Sequence, residues 1–345
     1  MKKTGRKRFF VLLMITALLT GCSFSGNGTA DEVKEIRIGV LLYNQDDMFI
    51  NDMMEYMDVG FREKEKEENF KITFNFSDAK GNQTVQNDQA DKYIEQNYDV
   101  LCVNLVDRTD AAIMIDKGKK ADIPIVFFNR EPVSADMQRW EKTYYVGVDA
   151  AEGGRMQGDI FLEKYYEWPE RDKNGDGIIQ YVLLEGEQGH QDTTIRTESC
   201  IKRITSAGVK LERLEAETAN WRRSQAKEIM HEWLSIYGDT IELAICNNDE
   251  MGLGVSDAFA EIEANVGTEE GGKYYCPVIG LDGIPEAVEE VREGCFLGTV
   301  LNDAKGQAQG VMDLAIALGK GENPIKVEYL RDDRSVRVPH KIILH

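Results

Sequence analysis

From residue 36 almost to residue 318, short apolar runs alternate with longer amphipathic stretches, and this pattern restricts the fold more than any other feature. Strand-like runs at 36–43, 72–76, 100–106, 125–128 and 144–147 are followed by a second series at 179–184, 209–214, 243–246, 278–281 and 299–301. Helix-like periodicity fills the intervals, at 53–68, 84–96, 153–166, 193–207, 224–234, 251–263 and 306–318. Strand followed by helix this often predicts an α/β architecture of parallel sheets covered on both faces. A chain of 345 residues exceeds what one hydrophobic core organises. Two doubly wound lobes are therefore expected.

The beginning of the chain reads as a targeting signal. Lys2, Lys3, Arg6, Lys7 and Arg8 precede an apolar run from Phe9 to Leu19, which is too short for a permanent membrane span. Leu19-Thr20-Gly21-Cys22 fits a lipoprotein processing site, so residues 1–22 are assigned as a signal with Cys22 as the lipidation position. Residues 23–33 form a small, polar tether. The expected location is extracytoplasmic, attached to the cell membrane by lipid. The net charge is −20, and the basic leader makes the remainder more acidic still. No basic stripe offsets that field, which argues against a nucleic-acid partner. Of six cysteines, Cys102 and Cys246 lie inside apolar runs, so buried free thiols are expected in place of a disulfide framework.

Parallel sheets bind ligands beyond the carboxyl ends of their strands. Those positions are polar here: Asp47 follows the first run, with Phe49 beside it, Asn129 the fourth, and Asn248 with Asp249, Asp282, and Asn302 with Asp303 follow runs of the second series. Several can also cap the next helix. The segment GHQDTTIR adds His190, Asp192 and Arg196, with Asp and Arg four apart on one helix face. Carboxylate and amide oxygens facing guanidinium and amide donors suit a sugar hydroxyl, which both donates and accepts. A misplaced hydroxyl would leave buried groups unpaired at about 1 to 3 kcal/mol each, which gives such a site selectivity. Phe49 and Trp221, from opposite halves, offer flat surfaces for the apolar faces of a pyranose. No phosphate-binding loop is present, and GLGVSD at 252–257 falls inside a helix-like stretch.

RDKNGDGIIQ carries the oxygen pattern of an EF-hand-type calcium loop. Asp172, Asn174 and Asp176 occupy positions 1, 3 and 5, Gly177 makes the turn, the Ile178 carbonyl is at position 7 and Gln180 at position 9. Position 12 is Leu183 where such loops carry Glu, so a carboxylate from elsewhere must complete the shell.

Taken together, IRIGVLLYNQDDMF, IVFFNREP, YYVGVDAAEGG, NGDGIIQYVLLEGEQGHQDTTIRT, TANW, ICNNDEMGLG, VIGLDGIPEA and GTVLNDA resemble the bacterial glucose/galactose-binding proteins of the type 1 periplasmic-binding fold. The likeness runs from Ile36 through Pro339. It implies a sugar stacked between Phe49 and Trp221, its oxygens bound by Asp47, Asn129, His190, Asp192, Arg196, Asn248, Asp282 and Asn302. It further implies that Glu242 is the remote ligand of a structural Ca2+ held by Asp172, Asn174, Asp176, Ile178 and Gln180. Residues 34–146 and 304–333 would form the amino-terminal lobe, and 147–303 with 334–345 the other. Three crossover strands, near 145–148, 301–304 and 331–336, would hinge them. The implied role is capture of D-glucose or D-galactose by a monomer and delivery to an ABC-type permease, or alternatively sensing for a chemoreceptor or sensor kinase. Hydrolysis is not expected: a glycosidase needs one carboxyl with a raised pKa, and Arg196 would hold its neighbouring Asp192 ionised. Departures from the family are Ile178 where relatives carry Gln, an insertion-like NVGTEEGGK at 265–273, and a short tail after Pro339.

Overall fold

The computed structural model describes residues 35–68, 70–167, 172–266 and 276–344. The leader, Cys22, the tether and residues 267–273 of the insertion-like segment lie outside the described residues.

Two six-stranded sheets organise the chain. The first has the order β11-β5-β4-β3-β1-β2, built from β1 (Glu35–Leu42), β2 (Lys71–Asp78), β3 (Val100–Val103), β4 (Ile125–Phe128), β5 (Thr143–Gly147) and β11 (Ser335–Arg337), all parallel. The second has the order β12-β10-β9-β8-β6-β7. It comprises β6 (Ile179–Glu185), β7 (Leu211–Thr218), β8 (Leu243–Cys246), β9 (Val278–Ile279), β10 (Phe296–Leu301) and an antiparallel edge, β12 (Lys341–Leu344). β3, β4 and β8 are buried at every residue, the expected state of central parallel strands with helices on both faces.

Each sheet separates two apolar cores. In the first lobe, α1 (Met48–Glu68) and α10 (Ala304–Gly319) bring Ile50, Met53, Met57, Phe61, Val311 and Leu314 onto one face. On the other face, α2 (Gln83–Glu95) and α3 (Ala111–Ala121) bring Ala90, Tyr93, Met114 and Ile115. A short α4 (Ser134–Met137) precedes β5. In the second lobe, α7 (Arg223–Tyr237), α8 (Asp249–Val266) and α9 (Pro285–Glu293) cover one face, and α5 (Ala150–Glu167) and α6 (Gln191–Ser206) the other. α5 and α6 approach closely because Gly154 has no side chain: an added Cβ would lie 2.3 Å from the Arg196 carbonyl oxygen.

The chain passes between the sheets after β5, after β10 and after β11. The third passage corrects the sequence reading, which assigned 334–345 to the second lobe and put the crossing near 331–336. Ser335, Val336 and Arg337 pair with Tyr145, Val146 and Gly147 in the first sheet, so the crossing falls at residues 338–340. β7 also differs from the expected run at 209–214, because its exposed, charged LERLEAET is an edge strand whose polarity hides its true length. Cys102, Cys200 and Cys246 are buried free thiols, Cys276 is also buried, and Cys295 is partly buried. No helix among the described residues is long and apolar enough to cross a membrane.

Candidate functional site

All ten residues predicted to bind ligand line one cavity: Asp47, Phe49, Asn129, His190, Asp192, Arg196, Trp221, Asn248, Asp282 and Asn302. The space among them is about 370 Å3, including the part open to solvent. The first lobe contributes Asp47 and Phe49 at the start of α1 and Asn129 after β4; Asn302 lies on the passage after β10; the second lobe contributes the rest. Every one sits at the carboxyl edge of a sheet, where helix amino termini converge.

Several of these side chains cap a helix with one atom and leave the remainder for the cavity. Asp47 Oδ1 accepts from Ile50 N at 3.1 Å, and Asn248 Oδ1 from Met251 N at 3.0 Å. His190 Nδ1 accepts from Asp192 N at 3.2 Å, which places the ring proton on Nε2. Burial pushes the His190 pKa down to about 3, so the ring is a neutral donor at pH 7. Capping therefore occupies one atom of each of these side chains without removing the residue from the cavity wall.

Asp192 and Arg196 form a buried ion pair at 3.0 Å, and Arg196 Nη1 also donates to the Asn247 carbonyl at 3.2 Å. Arg196 Nε is buried without a hydrogen-bond partner among the described residues. Opposite, Asn302 Nδ2 donates to Asp282 Oδ1 at 3.1 Å, while Asn302 Oδ1 accepts from Gln307 Nε2 at 2.7 Å. Burial raises the Asp282 pKa well above the carboxylate range, aided by the charges of Asp249 and Asp47 and opposed by Arg196. The cavity thus holds ionic and amide groups of both polarities, each already fixed on one side by protein.

Three lining residues carry positive φ: Asn129 at 59°, Trp221 at 64° and Asp282 at 139°. Such backbone is costly outside glycine and accumulates where side chains must be aimed at a ligand. Trp221 lies edge-on to His190, with ring centroids 5.2 Å apart at 76°. Its ring occupies space that Gly186 leaves open, since a Cβ there would lie 2.1 Å from the indole.

Sequence reasoning missed the supports. Asn104 Nδ2 donates to Asn129 Oδ1 at 3.1 Å, and Tyr43 OH donates to Asp47 Oδ2 at 2.5 Å. Asp249, read as a candidate beside Asn248, turns away: it accepts from Gly283 N at 2.7 Å, Ile284 N at 3.0 Å and Thr299 Oγ1 at 2.7 Å, fixing the loop that carries Asp282.

The candidate metal loop turns on Gly175 and Gly177, at φ 70° and 77°. Asp172 accepts from Gly175 N and Gly177 N, each at 2.7 Å. Asn174, Asp176 and Gln180 bring their side-chain tips within 3.1 Å of one another. Glu242, buried at 2% exposure, accepts from Gln180 N at 3.0 Å and from Lys173 N, so it ties down the loop from just before β8. No cluster of three His, Cys, Asp or Glu side chains suited to a metal occurs among the described residues. The donor set here instead mixes carboxylates, amides and a carbonyl, the hard oxygen chemistry that suits Ca2+.

A family model described as a periplasmic binding protein domain matches residues 38–323. The chain belongs to that family. It is one of binding proteins, not of enzymes. The chain is 36% identical over 330 residues to the D-galactose/methyl-galactoside binding periplasmic protein MglB of Haemophilus influenzae, covering 94% of this chain and 95% of that protein. It is 29% identical to a putative rhizopine-binding protein of Rhizobium meliloti, over 73% of this chain and 75% of the relative. Among solved structures, an ABC transporter solute binding protein from Bacillus halodurans with bound myo-inositol superposes with a TM-score of 0.71 at 26% identity, covering 91% and 96% of the two chains.

Proposed function

We propose that this periplasmic binding protein captures D-glucose or D-galactose between its lobes and delivers it to an ABC-type permease. The observation that carries the reading is the coincidence of two aromatic residues and eight polar ones, from both lobes, around a single cavity. A hexose needs that combination, because its ring has apolar faces and its rim has hydroxyls that both donate and accept. The galactose-binding relative shares over a third of its residues across nearly the whole chain, whereas other relatives are named for different polyols and sugars, so the hexose is inferred from the site itself. Asp47 and Arg196 supply charged partners, each worth about 1.5 to 3 kcal/mol net to a well-placed hydroxyl, and the buried Asp282 carboxyl adds a further hydrogen-bonding group.

Titration calorimetry against a panel of glucose, galactose, ribose, xylitol and myo-inositol tests it. The expected result is binding of the two hexoses well ahead of the rest, lost on Trp221→Ala or Asp282→Ala with the melting curve intact; equal affinity in wild type and both variants would remove the assignment. In the same reading Cys22 is the lipid anchor, so Cys22→Ser would move the protein out of the membrane fraction. The loop of Asp172, Asn174, Asp176, the Ile178 carbonyl and Gln180, with Glu242, would hold a structural Ca2+, which when bound neutralises the gathered oxygens and rigidifies the start of β6.

A further inference from the structure

We propose that Tyr43 and Arg130 tie the ligand-facing carboxylate Asp47 to an ion pair across the cleft, so that orientation of the site and closure of the lobes are a single coupled event. The proposal rests on the cleft being the sugar site.

Tyr43 directly follows β1 and is 8% exposed. Its hydroxyl donates to Asp47 Oδ2 at 2.5 Å, while Ile50 N holds Oδ1 at 3.1 Å, so both carboxylate oxygens are positioned from the first lobe. Burial and the nearby Asp47 charge keep the phenol protonated, and it stays a donor. Against the Tyr43 ring lies the Arg130 guanidinium, 3.5 Å from the ring centroid. Arg130 follows Asn129, so one loop carries both a cavity residue and this cation. Its Nη1 donates to the Val106 carbonyl at 2.9 Å, and its Nη2 pairs with Glu187, which follows β6 in the other lobe.

The two partners of that pair are unequally exposed. Arg130 is 6% exposed, and its Nε has no hydrogen-bond partner among the described residues. If the lobes part, the guanidinium keeps its Val106 carbonyl and its place against the Tyr43 ring but loses its counter-charge, so opening costs the pair. Glu187, whose side chain is 41% exposed, simply returns to water. The neighbouring residue repeats the crossing: Gln191 Nε2 donates to Glu131 Oε2 at 3.3 Å, and Arg337 holds Glu131 in place. Arg130 and Tyr43 are thus positioning residues, acting on the ligand through Asp47.

The test uses the full chain with glucose and galactose as probes, comparing wild type with Tyr43→Phe, Glu187→Gln and the double variant. Each single change is expected to weaken binding by about 3- to 10-fold, chiefly through faster dissociation. The double variant should lose less than the product of the two, because both break one chain of contacts. Unchanged affinity in Glu187→Gln, or losses that multiply, would overturn the coupling. Small-angle scattering without sugar gives an independent reading: Glu187→Gln should show a larger radius of gyration than wild type, and an identical radius would also overturn it. A wild type that binds no hexose but still expands on Glu187→Gln would refute the sugar reading and retain the ion pair as the closing contact.

Discussion

Trp221 is held by a residue that has no side chain. Because a Cβ on Gly186 would lie 2.1 Å from the indole, Gly186→Ala must displace the ring that faces the cavity. We expect hexose affinity to fall at least about tenfold while the fold persists, read by calorimetry beside tryptophan fluorescence. His190 makes a prediction in pH. Its folded pKa of about 3 lies below its ordinary 6.5, so within that window the unfolded chain takes up a proton that the folded chain refuses. Stability from this group is complete above 6.5 and is lost as pH falls toward 3. Asp249 has the opposite sign: raised from 3.8 to about 6, it stays protonated in the fold, and stability falls as pH rises through that interval. Melting measured from about pH 7 to 4 should therefore decline less steeply in His190→Gln than in wild type; parallel curves would contradict the assignment. The ten cavity residues were legible because each directly follows an apolar run or belongs to a short dense motif. Tyr43, Arg130, Gly186 and Asn104 were not, because their roles are set by contacts with residues far away in sequence, for which a one-dimensional pattern carries no signal.

Among the elements, the loop before β6 shows how a local motif depends on a remote strand. Glu242, just before β8, accepts from Lys173 N and Gln180 N, so Glu242→Ala would leave two backbone donors unpaired and should destabilise the fold by about 2 to 4 kcal/mol. Chelation should lower the melting temperature of wild type but leave that of Glu242→Ala nearly unaltered, as differential scanning calorimetry would show; no response to chelator in wild type would argue that the loop is an ordinary turn. The turn from Asp172 to Gln180 was readable as a local motif, whereas the bonds that Glu242 makes to it join residues more than sixty apart in sequence. Central strands were readable for a similar reason, being uniformly apolar. Edge strands were not: β7 presents charged residues to solvent, and β11 is three residues long, so its membership of the first sheet is decided by pairing with β5.

At the scale of the molecule, two sheets joined by three passages place the carboxyl edges of their strands around one cleft, and the family membership shown by residues 38–323 accords with that architecture. The alternation of strand and helix made the two-lobe plan legible at once. The position of the last passage was hidden, because residues 335–344 supply one strand to each sheet with only three residues between. Under the proposed function these passages would serve as the hinge, and a ligand contacting both sides would shift the equilibrium toward the closed form. The most direct measurement is a crystal structure of the chain grown with galactose. The account predicts one pyranose ring between Phe49 and Trp221, with Asp47 and Asp282 accepting from hydroxyls at different positions on its rim. Sugar bound anywhere else, or a ring stacked on neither aromatic, would contradict it.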